Sequence, residues 1–281
     1  MDEWTADNPV TIRTLRHMAK DGRAIAVLTC YDATTARWLS RGGVPALLVG
    51  DSAGQVILGH QQSMHAPLDF MIQITAAVKR GAPGCYVVGD MPFMSYQADD
   101  AEAIHNAGRF MIEGKADAVK LEVDGSYLAL MGKLARAGVP VWAHLGWRPQ
   151  RMTRTGVPVV AGRTAAQVRE LVDLAKAMEE KGAAMLLIEQ STAETAEQIV
   201  GAVSIPVIGC GGGPACHGHV VVLQDLLGMS ERSPRFVTAL GSVGEQIEAA
   251  GRAWVKLLES RDYLRDHPYK MHEGESRKLD G

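Results

Sequence analysis

The chain has 281 residues, 47% of them hydrophobic and 22% charged, enough to bury a large core. Its formal charge of −3 and pI near 6.3 give no basic field of the kind that attracts nucleic acid, and no polybasic run beside an amphipathic helix speaks for a membrane surface. No apolar run approaches the ~18 residues of a membrane span, the opening MDEWTADNPVTIRTL lacks the apolar stretch of a secretory signal, and the four cysteines (Cys30, Cys85, Cys210, Cys216) fit reduced thiols in a cytoplasmic protein.

After an N-terminal extension or helix over residues 1–22, short apolar runs alternate with helical patterns. Strands are expected at Ala24–Asp32, Ala46–Asp51, Cys85–Asp90, Ala118–Glu122, Val139–Gly146, Ala183–Glu189 and Ile205–Gly211, with a weaker run, RFVTAL, at Arg235–Leu240. Between them, apolar residues recur at helical spacing over Ala33–Ser40, Asp99–Gly114, Tyr127–Ala137, Ala165–Lys181, Ala193–Val200 and Val243–Glu259. Gly43, Gly114, Gly138 and Gly182 stand where left-handed residues end helices. Continuous apolar strands alternating with helices imply a parallel sheet buried on both faces. Eight such units point to an α/β fold, a single (β/α)8 TIM barrel over residues 1–281, with a polar tail from about Asp262 to residue 281.

In such barrels the active site lies at the C-terminal ends of the strands. The expected strands end at Asp51, Asp90, Lys120 with Glu122, His144 and Glu189, so five consecutive strands send ionisable groups to one rim. Each alone has a plainer explanation: an aspartate as turn former or helix N-cap, a histidine hydrogen-bonded in the core, Lys120 and Glu122 as an ion pair on one strand face. Burying so much charge without a use is costly, and the set outweighs its members.

Asp51, Asp90 and Glu122 form an oxygen-only cluster without the Cys and His that zinc prefers, so Mg2+ is the expected occupant. A 2-oxo acid chelates such an ion, and the polarised carbonyl acidifies the adjacent C–H toward an enolate. Lys120 is then placed either beside the enolate or against the substrate carboxylate, and Glu189 or His144 to move protons. The chemistry is aldol-type, making or breaking a C–C bond. The segment CGGGPACHGH holds Cys210, Cys216, His217 and His219, but its spacing matches no zinc pattern. Its glycines suit a plain turn, a phosphate cradle or the close approach of a loop or cofactor.

The stretches LTCYDATTA, LLVGDSAGQVILGH, TAAVKRGAP, VVGDMPFMSY, AVKLE, VPVWAHLGWRPQ, LLIEQ, IPVIGCGGG and QDLLGM, in that order, resemble the ketopantoate hydroxymethyltransferase family, within the phosphoenolpyruvate mutase and isocitrate lyase group. The resemblance implies a magnesium-dependent barrel that transfers a hydroxymethyl unit from 5,10-methylenetetrahydrofolate to 3-methyl-2-oxobutanoate, giving 2-dehydropantoate for pantothenate synthesis. By the same resemblance Asp51, Asp90 and Glu122 hold or surround the metal, and Asp51, Ser52, Asp90 and Lys120 contact the 2-oxo acid. Glu189 is the catalytic acid/base, and His144 is its neighbour in the substrate site. Family members form ring-based homo-oligomers, often decamers. The chain departs from the family pattern at QQSMHAPLDFMIQIT, with Phe70 and Ile74 in place of an Asp and a His, at RMTRTGVPVVAG, and at the HGH of His217–His219. Those departures leave room for an alternative: an aldolase, lyase or hydroxymethyltransferase acting on another 2-oxo acid.

Overall fold

The computed structural model describes residues 4–261, 263 and 267–280. They divide into two compact units, Met1–Leu223 and Gln224–Gly281.

The first unit is a closed barrel of eight parallel strands, each paired with the next and the last with the first. The strands are β1 (Ile25–Thr29), β2 (Ala46–Val49), β3 (Tyr86–Asp90), β4 (Ala118–Glu122), β5 (Val141–Gly146), β6 (Met185–Glu189), β7 (Val207–Cys210) and β8 (Gly218–Val221). The helices of nine or more residues in this unit are α1 (Ile12–Lys20), α2 (Ala33–Arg41), α3 (Leu68–Gly81), α4 (Asp100–Ile112), α5 (Leu128–Arg136), α6 (Ala165–Glu180) and α7 (Ala193–Ala202). Thr11 and Thr14 close a reciprocal capping box at the start of α1.

Strand parity divides the core in two. Ile25, Val27, Leu48, Tyr86, Val88, Ala118, Trp142, Met185, Leu187 and Ile208 pack together inside the barrel, joined by Leu15 and Met18 of α1. The alternate residues, among them Leu47, Val87, Val119, Leu121, Leu145 and Ile188, pack outward against the helices. Because side chains alternate along a strand, Asp90, Lys120, Glu122, His144 and Glu189 share the inward parity of Val88, Ala118, Trp142 and Leu187. The register sets Asp90 beside Lys120, Glu122 beside His144, and Gly146 beside Glu189. An apolar plug, with Tyr86 stacked on Trp142 at 6.3 Å, thus supports a layer of ionisable groups.

Two expectations are corrected. The eighth strand is Gly218–Val221, not Arg235–Leu240, which forms turns and irregular chain. Gly218 and His219 hide its apolar character, and a side chain at Gly218 would run into the Ile25 carbonyl of β1. Gly114 is not the left-handed residue after α4; Lys115 is, at φ +53. Gly114 is required instead because a Cβ there would lie 2.6 Å from the Phe110 carbonyl oxygen.

In the second unit, α8 (Val243–Glu259) matches its expected bounds and has no buried residue. Of the tail expected from Asp262, residues 262, 264–266 and 281 lie outside the described residues, while Glu275–Asp280 forms a 3-10 helix. No helix among the described residues is long and apolar enough to cross a membrane.

Candidate active site

The plainer role for a strand-end aspartate, capping the next helix, holds for Asp32, whose Oδ1 accepts the backbone N–H groups of Thr34 and Thr35. It fails for Asp51 and Asp90, which are buried and joined to each other. The Asp51 backbone N–H donates to Asp90 Oδ2 at 2.9 Å. Gly50 permits this approach, since a side chain there would meet Ser52 Oγ at 2.9 Å. Ser52 is itself held by the Tyr31 hydroxyl at 2.9 Å.

From Asp90 a line of ionisable groups crosses the rim. Lys120 Nζ lies 2.8 Å from Asp90 Oδ1 and 3.2 Å from His144 Nδ1. His144 Nε2 lies 3.4 Å from Glu189 Oε2, within ion-pair range but off hydrogen-bond alignment. Burial works against charge on Lys120, but Asp90, Asp51 and Glu122 together hold its pKa above the ordinary value. Lys120 is therefore an ammonium with donors only. His144 Nδ1 must accept from it, which assigns the imidazole proton to Nε2, facing Glu189. Burial, then the charge on Lys120, keep His144 well below its ordinary pKa and neutral. Burial pushes Glu189 up to about 8, with Lys120 pulling down and Asp51 pushing up, and raises Asp90 despite the pull of Lys120.

Glu122 stands on the same rim but is held differently. The Gln150 backbone N–H reaches both its carboxylate oxygens at 3.2 Å, and the Tyr96 hydroxyl accepts its backbone N–H at 3.1 Å. Burial raises Glu122 well above the usual carboxylate range, against the pull of Lys120. The side chain of Gln150 donates to Asp51 Oδ2 and to the Met91 carbonyl, both at 3.0 Å. Its Oε1 accepts from Tyr96 and Gln97. Sequence reasoning missed Gln150 as a site residue, along with Tyr31 and Tyr96. All three lie inside stretches that carry the family resemblance, but a neutral amide or phenol at a loop carries no charge signal.

All seven expected site residues, Asp51, Ser52, Asp90, Lys120, Glu122, His144 and Glu189, lie in this one region. Among the described residues no group of three or more His, Cys, Asp or Glu side chains is placed to hold a metal ion. The donor set nevertheless suits a hard divalent cation. Asp51 and Asp90 adjoin and Glu122 is tied to Asp51 through Gln150, so three neighbouring carboxylates supply oxygen donors alone. Mg2+ keeps several water or substrate oxygens and needs only one or two protein carboxylates. The segment from Cys210 to His219 offers no such site. His217 Nδ1 accepts the Val207 backbone N–H at 3.0 Å, while Gly212 and Gly213 lie close against Ile188 and Ala193. Those glycines serve close packing.

The sequence matches the family described as ketopantoate hydroxymethyltransferase over residues 9–265. It is 39% identical over 271 residues to the 3-methyl-2-oxobutanoate hydroxymethyltransferase of Clostridium novyi (strain NT), covering 96% of this chain and 98% of that protein. Against the protein of the same name from Anaeromyxobacter sp. (strain Fw109-5) it is 42% identical over 262 residues, covering 92% and 86%. Among solved structures it shares its fold with a phosphoenolpyruvate phosphomutase from Streptomyces platensis subsp. rosaceus, with a TM-score of 0.61, 12% identity and 96% and 94% coverage. It likewise resembles a 2,3-dimethylmalate lyase of the PEP mutase/isocitrate lyase superfamily, with a TM-score of 0.58, 18% identity and 96% and 98% coverage. With the rim carboxylates, Lys120, His144 and Glu189 all in place, the chain belongs to the ketopantoate hydroxymethyltransferase family, a family of transferase enzymes.

Proposed function

We propose that the protein transfers a one-carbon unit from 5,10-methylenetetrahydrofolate to 3-methyl-2-oxobutanoate, with Mg2+ as its metal, and so makes 2-dehydropantoate for pantothenate synthesis. The observation that carries this reading is the buried line Asp90–Lys120–His144–Glu189 beside Asp51. A phosphonopyruvate hydrolase of the same fold, 12% identical with a TM-score of 0.60, was solved with oxalate and Mg++.

Asp51 and Asp90 are the residues that would hold Mg2+, with Glu122 near them. The ion, when bound, supplies polarisation of the keto group and lowers the cost of removing the C3 proton. Lys120 gives the substrate carboxylate or the developing oxyanion a fixed positive charge. Glu189 takes the C3 proton. His144 is unsuited to that step: Lys120 occupies its Nδ1 lone pair, and its Nε2 bears hydrogen. An adjacent Nε2–H instead steadies the ionised Glu189 carboxylate. Water adds to the donor's methylene carbon as both of its C–N bonds break. The two water hydrogens go to the nitrogens of the departing tetrahydrofolate, and the oxygen stays as the formaldehyde carbonyl. C3 then bonds to that carbon, and the resulting alkoxide takes the proton held by Glu189 to become the new hydroxyl.

The test is turnover of 3-methyl-2-oxobutanoate with the folate donor and Mg2+, followed by release of tetrahydrofolate and 2-dehydropantoate. Turnover with free aldehydes but none with the folate contradicts the donor. The reading extends to a cytoplasmic homo-oligomer, a decamer by resemblance. Exposed Ile247, Trp254, Val255 and Leu258 on α8 support self-association, and sedimentation velocity tests it.

A further inference from the structure

Beyond β5 and the family-like RPQ of residues 148–150, the chain enters Arg151–Gly162, a stretch that departs from the family pattern. Here Gly146, Trp147, Arg148, Arg151, Arg154 and Val159 line a cavity of about 400 Å3. A second cavity of about 210 Å3 shares Arg151 and Arg154 and extends to Glu122, Gln150 and Tyr96. Both adjoin the site, since the Trp147 backbone N–H donates to the Glu189 carbonyl at 2.9 Å.

The charges here do not balance. Arg148 and Arg151 share one carboxylate, Asp124, at 2.9 and 2.7 Å. Arg154 is exposed and makes no hydrogen bond or ion pair among the described residues. Around the larger cavity three guanidinium groups therefore share one carboxylate, leaving two positive charges in excess there. Glu122, on the second cavity, is held by the Gln150 backbone N–H. Beside them Val157, Val159 and Val160 are 60%, 47% and 44% exposed. An apolar wall next to uncompensated guanidinium groups fits a ligand with an apolar or aryl body and a carboxylate tail.

We propose that this cavity is the subsite for the anionic tail of the one-carbon donor, with Arg154 as the residue that pairs with a tail carboxylate. The assignment rests on the folate reading above. That donor carries an aryl group followed by a glutamate dicarboxylate. The aryl part lies along Trp147 and Val159, and the glutamate faces Arg154. Arg148 and Arg151, tethered by Asp124, set the loop that presents it.

The experiment is calorimetric titration of tetrahydrofolate into the full-length wild type, Arg154→Glu, and Arg37→Glu as a control. Arg37 lies exposed on the outer helix α2, so its reversal changes net charge equally but away from the β5 loop. The expected result is that Arg154→Glu weakens binding by at least about tenfold while Arg37→Glu stays within about twofold, the loss of one charge-assisted contact. Wild type is further expected to bind p-aminobenzoylglutamate in preference to p-aminobenzoate, a preference that Arg154→Glu abolishes. Equal binding by all three proteins, or equal loss in both variants, overturns the subsite alone. A wild type that binds no tetrahydrofolate overturns both the subsite and the folate donor.

Discussion

Asp90 and Lys120 face each other across the β3–β4 register and close a 2.8 Å ion pair whose two side chains are 2% and 5% exposed. Removing one partner strands the other. Lys120→Met is expected to cost about 3–5 kcal/mol of stability by urea denaturation, the usual penalty for an uncompensated buried charge. The Asp90→Asn/Lys120→Met double variant, which strands no charge, is expected to be more stable than Lys120→Met. A double variant less stable than the single one contradicts the pairing.

Glu189 gives a pH signature. Its carboxyl is raised from 4.5 to about 8 in the folded protein, so the native state binds this proton more tightly than the unfolded chain. The stability it contributes is full below pH 4.5 and is lost as pH rises through about 8. Glu189→Gln removes that titration. Melting temperatures measured across this range are expected to fall less steeply with pH in the variant, and parallel curves contradict the assignment.

Gln150 joins groups that sequence reading treats separately. Gln150→Leu withdraws the side-chain donor from Asp51 and the acceptor from Tyr96. Each polar group left buried and unpaired costs about 1–3 kcal/mol. With Asp51 no longer oriented, the rise in melting temperature on adding Mg2+ is expected to shrink in the variant. An undiminished rise contradicts a role for Gln150 in holding Asp51.

Much of this site is legible in the sequence because its members are charged residues at the ends of apolar strands. Asp51, Asp90, Lys120, Glu122, His144 and Glu189 stand out against Val, Leu and Ile. What the sequence does not show is which of them touch. The Asp90–Lys120 contact depends on the stagger of strands around a closed barrel, and no local pattern encodes it. Neutral partners such as Gln150 and Tyr96 act through single hydrogen bonds from loops and leave no periodic trace. β8 escaped for a related reason: it is four residues long and begins with Gly218-His219, while the more hydrophobic Phe236–Leu240 segment supplies a decoy.

Gly146 offers a backbone test. It holds φ +86, and a Cβ there would lie 2.4 Å from the Glu189 carbonyl oxygen. Gln190, the residue after Glu189, is also left-handed at φ +44. Gly146→Ala is expected to destabilise the fold by at least about 1 kcal/mol through backbone strain. It is also expected to slow turnover by displacing Glu189. Thermal melts and steady-state rates check this, and an unperturbed variant contradicts the close packing of β5 on β6.

Proton exchange at C3 of 3-methyl-2-oxobutanoate in D2O, followed by NMR with no one-carbon donor present, tests the central claim most directly. The account predicts exchange by the wild type that requires Mg2+ and falls by at least about 100-fold in Glu189→Gln, the scale of a lost general base. Exchange at the wild-type rate in Glu189→Gln, or in wild-type protein stripped of divalent cations, would contradict it.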